Sequence, residues 1–344
     1  MNFTNDYFAD IERVSELIPS LSVLKGRSLM LTGASGLIVS AVADVLFYLN
    51  KENEMGMTLY LAGREKKRIE DRFPSCNEGD DYHFVFFDAT KNDFPSLTVD
   101  YIINGASPAD PSSYIRQPVE TMLASLVGVD ALLRLARQCG CKRFLQISTS
   151  EVYGKKDSSL PYSETEYGFV DIMNPRSCYP SAKRAADTLC VAYGAEYGVN
   201  TVIVRPGHVY GPSITKNDSR ASSQFARLAA EGKGIVMKSE GAQMRSYCYT
   251  LDSASAILTV LLNGEKGTAY NISNRNSVIS IREMAEAFAK AGNVDLIMDI
   301  PTEEEKRGYN MMDNSSLDAC RLENLGWRAL IDMEEGAIKT LKEL

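Results

Sequence analysis

Histidine and tryptophan are scarce in this 344-residue sequence, which has two of the first (His83 and His208) and one of the second (Trp327). Its seven cysteines are an odd number without regular spacing, and Cys139 and Cys141 form CxC rather than CxxC. A metal site or a disulfide framework is therefore not expected, and buried reduced thiols are the better reading. Positive charge is also in short supply. Lys and Arg number 37 against 45 Asp and Glu, a net charge of −8, which argues against a nucleic-acid partner held by a general basic surface. An anionic small molecule remains compatible, because a few arginines in a cleft override the global sign. No stretch approaches the ~20 apolar residues of a membrane span. The start of the chain carries Asp6, Asp10, Glu12 and Glu16 where a signal peptide would need bases and then an apolar run. A cytoplasmic protein without a membrane partner is expected.

What is present has an ordinary globular balance, 44% hydrophobic and 24% charged residues, enough for a sizeable core in one large α/β unit or two packed ones. Residues 5–25 read as an amphipathic helix. A short apolar strand, a glycine turn and a helix-period stretch follow in SLMLTGASGLIVSAVADVLFYLN. Further strands are expected at 58–63, 83–90, 100–107, 143–150 and 200–206, with helices at 117–139 and 179–197. Val119, Met122, Leu126, Val129 and Leu133 fall near one face of the first of these helices. Strands alternating with helices mean a parallel sheet with crossovers. The polar loops at 155–178 and 211–223 are long enough to be functional.

Gly33-Ala34-Ser35-Gly36-Leu37-Ile38-Val39 directly follows the first strand. Glycines at 33 and 36 permit a tight turn, and the helix start behind them offers free N–H groups to a pyrophosphate. Val39 stands where a third glycine is usual, a position that serves close helix–strand packing. At the end of the second strand, an NAD site would place an acid against the ribose 2′-hydroxyl. Here the sequence reads Gly63-Arg64-Glu65. Arg64 suits a 2′-phosphate and hence NADP, while Glu65 is near enough to turn to the ribose.

Tyr179-Pro-Ser-Ala-Lys183 opens a helix after a loop, and its i,i+4 spacing puts phenol and ammonium on one face. A nearby ammonium stabilises phenolate and lowers its pKa from ~10 towards neutrality, making Tyr179 a usable base. About 30 residues upstream, a strand ends in Ser148-Thr149-Ser150-Glu151-Val152-Tyr153-Gly154, which brings hydroxyls to the same sheet edge. Each motif alone recurs by chance; the three in this order form a strong constellation.

With TGASGLI, STSEVYG, YPSAK, RPGHVYGP (205–212) and RSYCYTLD (245–252) in place, residues 27–340 resemble the extended short-chain dehydrogenase/reductases. Within them the likeness is to UDP-glucuronate decarboxylases, carried by STSEVYG, NPRSCYPSAKRAADTLC (174–190), NDSR (217–220) and QMRSYCYTLD (243–252). The resemblance implies a Rossmann-type doubly wound parallel sheet with a smaller C-terminal substrate-binding α/β lobe. Residues 1–26 would form a helical extension, 27–206 with about 247–275 the dinucleotide domain, and 207–246 with 276–344 the substrate lobe. Catalytic roles are implied for Thr149, Ser150, Glu151, Tyr179, Lys183 and Arg245. Cofactor contacts are expected from Gly33, Ser35, Gly36, Leu37, Ile38, Arg64, Asp88, Ala89, Ala106, Tyr179 and Lys183, with NAD the expected cofactor and NADP still open. Substrate contacts are expected from Ser107, Arg176, His208, Arg220 and Arg245. Three departures stand out: the second-strand aspartate is missing, Ser125 replaces an asparagine, and the loop from Tyr167 to Met173 differs.

The implied chemistry is redox-neutral. Tyr179 takes the proton of a sugar 4-hydroxyl that Thr149 hydrogen-bonds, and hydride leaves C4 for the nicotinamide, from which it later returns to C4. The resulting ketone turns the C5 carboxylate into a β-keto acid that loses CO₂, with Glu151 and Arg245 positioning the carboxylate. In related 4,6-dehydratases the place of Ser150 holds an aspartate that protonates a departing hydroxyl; serine is a poor acid for that step. A 4-epimerase or dehydratase is the alternative, followed by an NADP-linked carbonyl reductase or a non-catalytic dinucleotide binder. The helices at 117–139 and 181–197 carry more apolar surface than one sheet face needs, and the family pairing of such helices implies a homodimer.

Overall fold

The computed structural model describes residues 3–215, 218–299 and 313–344. Asn217 of the NDSR segment and residues 300–312 of the expected substrate lobe lie outside the described residues. Seven parallel strands form the central sheet. The first six are β1 (Ser28–Thr32), β2 (Thr58–Gly63), β3 (His83–Phe86), β4 (Tyr101–Asn104), β5 (Arg143–Ile147) and β6 (Thr201–Pro206). The order runs β3-β2-β1-β4-β5-β6 and closes with Ala269–Ile272 beside β6. β4 and β6 are buried along their whole length, as a parallel sheet covered on both faces requires.

The helices divide between the two faces. α1 (Asn5–Glu16), α2 (Leu37–Glu52) and the helix Thr250–Asn263 share one core with the inward residues of β1 and β2. On the other face, α5 (Pro118–Gln138) packs against α6 (Cys178–Tyr197) through Val129, Leu132, Leu133, Ala186 and Cys190. Short helices α3 (Lys66–Arg72) and α4 (Pro111–Arg116) sit in the connections after β2 and β4. The first helix is shorter than the expected 5–25, because the chain breaks at Pro19 and Ser20, the latter at φ 63°, and resumes as a single 3-10 turn, Leu21–Leu24. The apolar stripe of α5 also divides: Val129 and Leu133 are buried, whereas Val119, Met122 and Leu123 face solvent.

A smaller sheet stands beyond the carboxyl ends of the central strands. Its middle strand, Met244–Tyr249, pairs with His208–Tyr210 and Asn314–Ser315 in parallel and with Val278–Ser280 antiparallel. The register sets His208 opposite Tyr247 and Arg245 opposite Ser315. Asp252, at the start of the helix Thr250–Asn263, accepts the Leu330 and Ile331 N–H groups at 2.9 Å each, tying the C-terminal segment to the central sheet's helix layer. Among the described residues, no helix is long and apolar enough to cross a membrane.

Strand order reverses between β1 and β4, the place where open α/β sheets bind ligands. There the chain after β1 and the chain after β4 pass very close. Gly33 has φ 70°, and a Cβ on it would lie 2.8 Å from the Gly105 carbonyl oxygen. Gly105 in turn lies under the side chain of Val39, whose methyl group a Cβ would strike. The room that a third glycine of the phosphate turn would leave on the helix is supplied instead by a glycine on the strand side. We expect Gly105→Ala to destabilise the protein by ~1–3 kcal/mol through overpacking, and Val39→Ala in the same chain to restore most of that loss. Urea unfolding of the two single variants and the double variant measures both effects, and additive losses would contradict the pairing.

Candidate active site

A buried polar chain runs along the carboxyl edge of the sheet. Thr32 closes β1 and donates its hydroxyl to Asn104 Oδ1 at 2.6 Å. Asn104 closes β4 and donates to Gln146 Oε1 at 2.8 Å, and Gln146 donates to the Ile147 carbonyl at 3.0 Å. The same carbonyl accepts Lys183 Nζ at 2.9 Å. Strand register makes this possible, because Thr32 is paired with Asn104 and Asn104 with Gln146. The phosphate turn is thereby linked through side chains to the helix that carries the Tyr179–Lys183 pair.

The turn itself is shaped for an anion. Gly36 is the N-cap of α2 and has no capping side chain, so the first-turn N–H groups, those of Leu37 and Ile38 included, keep no side-chain acceptor of their own. Ser35 lies beside them in the turn. Ala106 follows Gly105, its N–H donating to Thr32 Oγ1 at 3.2 Å. Ser107 shares a 2.9 Å hydrogen bond with Ser125. Asp88 follows β3 and accepts from the Thr90 N–H at 3.0 Å and the Thr90 hydroxyl at 2.8 Å; despite burial, these bonds and the charge of Arg64 hold its carboxyl below the usual range. Ala89 packs against Gly128 of α5. Arg64 is exposed at the end of β2, and Glu65 is paired with Arg68 at 3.1 Å rather than turned to a ribose.

Tyr179 and Lys183 are both buried in the first turns of α6. The expected lowering of the phenol is not what the structure favours. Burial, with the charge of Glu151, raises Tyr179 to about 12, although hydrogen bonds with Thr149 and Tyr114 and the charge of Arg220 pull the other way. Lys183 is 5.8 Å from the phenol ring centre and spends a hydrogen bond on Ile147. Burial lowers its ammonium to about 8. Thr149 caps the 3-10 turn Ser150–Tyr153, accepting the Glu151 N–H at 3.3 Å, and Ser150 is buried in that turn.

Glu151 does not pair with Arg245. Arg176, at the start of α6's approach, grips it in a bidentate pair at 2.6 and 3.0 Å. Arg245 is buried, and its NH1 donates to the Met244 carbonyl at 2.8 Å; it feels Glu151 only as a nearby charge. Arg220 is held by Asp218, with its Nε 2.9 Å from Oδ1. His208 stands by both arginines: burial first, then the charges of Arg245 and Arg220, lower its pKa to about 3, and its buried Nδ1 has no partner among the described residues. Glu151, Arg176, Arg220, Arg245 and His208, drawn from distant segments, thus form one cluster that reaches Tyr179 through Glu151 and Arg220.

One residue of this cluster has no counterpart in the sequence reading. Tyr114 of α4 stacks on Tyr179, ring centres 4.4 Å apart and planes at 14°, and Arg176 lies 5.1 Å over its ring centre. No spacing rule links position 114 to 179. The only signal was an aromatic in the loop after the fourth strand, a region that often carries functional groups.

A doubly wound sheet, an anion-shaped turn at its switch point, and a buried Tyr–Lys pair beside Thr149 define an enzyme of the extended short-chain dehydrogenase/reductase type. The family model described as NAD dependent epimerase/dehydratase family matches residues 29–273, and the chain belongs to that family. It is 28% identical over 324 residues to UDP-glucuronic acid decarboxylase 1 of Xenopus tropicalis, covering 93% of this chain and 73% of that protein. Identity with UDP-glucuronic acid decarboxylase 6 of Arabidopsis thaliana is 28% over 312 residues, 90% of this chain and 86% of the relative. The UDP-glucose 4-epimerase of Thermotoga maritima, solved with UDP-glucose, superposes with a TM-score of 0.77 at 21% identity, over 92% of this chain and 98% of that one. UDP-glucuronic acid 4-epimerase of Bacillus cereus, solved with UDP-glucuronic acid and NAD, gives 0.77 at 18% identity, over 92% and 98%. These structures share the fold.

The buried lysine has a consequence for stability. Lys183 titrates near 8 when folded and near its ordinary 10.5 when unfolded, so the unfolded chain binds the extra proton and the burial cost is full below pH 8. That cost fades as pH rises from 8 to 10.5. Lys183→Met lacks it. The stability of the variant relative to wild type should therefore be greatest near pH 7 and fall towards pH 10.5, by on the order of 2–3 kcal/mol. A difference in urea-unfolding free energy that stays flat with pH would show that folding does not lower the Lys183 ammonium.

Proposed function

We propose that this protein decarboxylates a nucleotide-linked uronic acid, with UDP-glucuronate the first candidate, through a 4-keto sugar and without net redox change. The observation that carries the reading is the composition of the cluster around Tyr179. Tyr179 feels the charges of Glu151 and Arg220, Arg176 grips Glu151 and lies over the ring of Tyr114, buried Arg245 feels Glu151 as a nearby charge, and the position before Glu151 is a buried serine. Such a cluster favours an anionic substrate and has no acid at Ser150 to protonate a departing hydroxyl. The decarboxylase relatives and the uronate-bound epimerase support the same substrate class.

A nicotinamide dinucleotide fits the chain's own residues, as the side-chain-free cap of α2 and the close Gly33–Gly105 crossing indicate. NAD is the form named with several structural neighbours. Gly33, Ser35, Gly36, Leu37 and Ile38 would hold its pyrophosphate, Asp88 and Ala89 its adenine end, and Ala106, Tyr179 and Lys183 its nicotinamide half. When bound, that group accepts a hydride from the sugar and later gives it back.

The protein's part is proton handling and charge placement. Tyr179 takes the proton of the sugar 4-hydroxyl while Thr149 hydrogen-bonds the same oxygen. The ketone so formed lies β to the carboxylate, and the C5–carboxylate bond breaks with its electrons passing to the ketone oxygen as an enolate. Arg245 and Arg176 hold the carboxylate before it leaves as CO₂, and the enolate then takes a proton from solvent at C5, a step that Glu151 positions. Release of CO₂ passes the negative charge to the enolate, whose protonation at C5 then removes it and frees Arg176 to return to Glu151. Reduction of the ketone takes a proton back from Tyr179, a step for which its raised phenol is a suitable donor. Arg220, His208 and Ser107 are assigned to the nucleotide-sugar side of the cleft, arginine forks matching phosphate oxygens. We also assign it to the cytoplasm as a homodimer, a state supported by the exposed Val119, Met122 and Leu123 of α5 and Val191 of α6.

Incubation of the protein with UDP-glucuronate and dinucleotide, followed by NMR, should give a UDP-pentose and CO₂. Epimerised uronate or a 4-keto-6-deoxy sugar from UDP-glucose would move the protein to another branch of its family. Tyr179→Phe should lower kcat by about 10²–10⁴ while dinucleotide binding stays within about twofold of wild type. Because the phenol is raised to about 12, the rate of the first oxidation should climb with pH across the neutral range. A pH-independent rate between 6 and 9 would remove Tyr179 from the base role.

A further inference from the structure

The adenosine end of the cofactor site departs from what an NAD-selective site needs. From the arrangement at the end of β2, we infer that this protein accepts a 2′-phosphorylated dinucleotide, with Arg64 the residue that selects it. The inference rests on the dinucleotide reading above and concerns only which ribose is recognised.

Register fixes where Arg64 stands. Thr32, the last residue of β1, pairs with Ala62 of β2, and the Gly33 N–H donates to the Ala62 carbonyl at 3.1 Å. Arg64 lies two residues beyond Ala62, on the side of the phosphate turn where a dinucleotide's adenosine ribose is read. A carboxylate there would accept the 2′- and 3′-hydroxyls and repel a phosphate. The two acids nearest in this region are directed elsewhere. Glu65 is paired with Arg68, and Asp88 accepts both the N–H and the hydroxyl of Thr90.

The bases next to Arg64 are also occupied. Lys66 is paired with Glu78 and Glu70, and Lys67 with Asp71 at 2.7 Å. Arg64 has no hydrogen bond or ion pair with the described residues. It is exposed, and its charge is felt by Asp88 across the end of β3. A guanidinium in that position presents several N–H donors to a phosphate monoester, a strong charge-assisted contact, and gives a plain ribose much less. The hydride chemistry is unaffected, because the 2′-phosphate is remote from the nicotinamide. Selectivity at this end therefore does not conflict with the reaction proposed above.

The test is isothermal titration of the whole protein, freed of bound nucleotide, with adenosine 2′,5′-bisphosphate, 5′-AMP, NADP and NAD. The bisphosphate should bind about tenfold or more tightly than 5′-AMP, as a charged hydrogen bond to the extra phosphate would give. NADP should bind at least as well as NAD. Arg64→Ala should remove the bisphosphate's advantage while leaving 5′-AMP within about twofold, and Arg64→Lys should keep part of it. Equal or weaker binding of the bisphosphate by wild type, or an advantage that persists in Arg64→Ala, would overturn the assignment to Arg64. If neither dinucleotide binds at any accessible concentration, the cofactor reading itself fails and this inference falls with it.

Discussion

The buried polar chain from Thr32 through Asn104 and Gln146 to the Ile147 carbonyl, met there by Lys183, is the constraint on which the site depends. It crosses β1, β4 and β5 at their carboxyl ends and joins the anion-shaped turn to the helix bearing Tyr179. In a water-poor interior, an unmade bond in such a chain would leave a polar group without solvent or partner, so the strands are held in one register. The close passage of Gly33 over Gly105 is part of the same constraint. The two loops leave the sheet at its switch point, and bulk added to either would separate the strands that the polar chain holds together.

Burial that makes this scaffold rigid also sets the electrostatics of the cleft. It raises the Tyr179 phenol and lowers the Lys183 ammonium to about 8, so near neutral pH the phenol keeps its proton while the ammonium is close to losing one. The surrounding cations answer this in part. Arg220 acts on Tyr179 from the loop before Ala221, and burial, helped by the charges of Arg245 and Arg220, keeps His208 neutral. The Glu151–Arg176 pair holds a carboxylate and a guanidinium in reserve near the phenol.

Much of the scaffold could be read from local pattern. Strand β2 occupies the expected 58–63, and α6 begins one residue before the expected 179. The apolar strand before a glycine turn and the helix period behind it are local properties, as is the phenol–ammonium spacing in one helix. Boundaries that depended on a single breaker were less well read. The first helix stops near Pro19 although its amphipathic pattern continues. The pattern of α5 was continuous as well, yet Val119, Met122 and Leu123 in its first turns are exposed, which periodicity alone does not reveal.

Side-chain pairing was the part hidden from the sequence. The pairing of Glu151 with Arg176 follows from how the 3-10 turn after β5 faces the approach to α6. Tyr114 reached the site because a short helix after β4 folds back over Tyr179. Val39 looked like a weakened phosphate turn until Gly105 proved to supply the missing space from another strand. Composition, periodicity and short motifs established the sheet class, the dinucleotide turn and the Tyr179–Lys183 pair, because each lies within a few consecutive residues. The partners of Glu151, the stacking on Tyr179 and the direction in which its phenol is shifted came only with the folded chain. Those properties depend on burial and on contacts between segments tens of residues apart, and no local pattern encodes them.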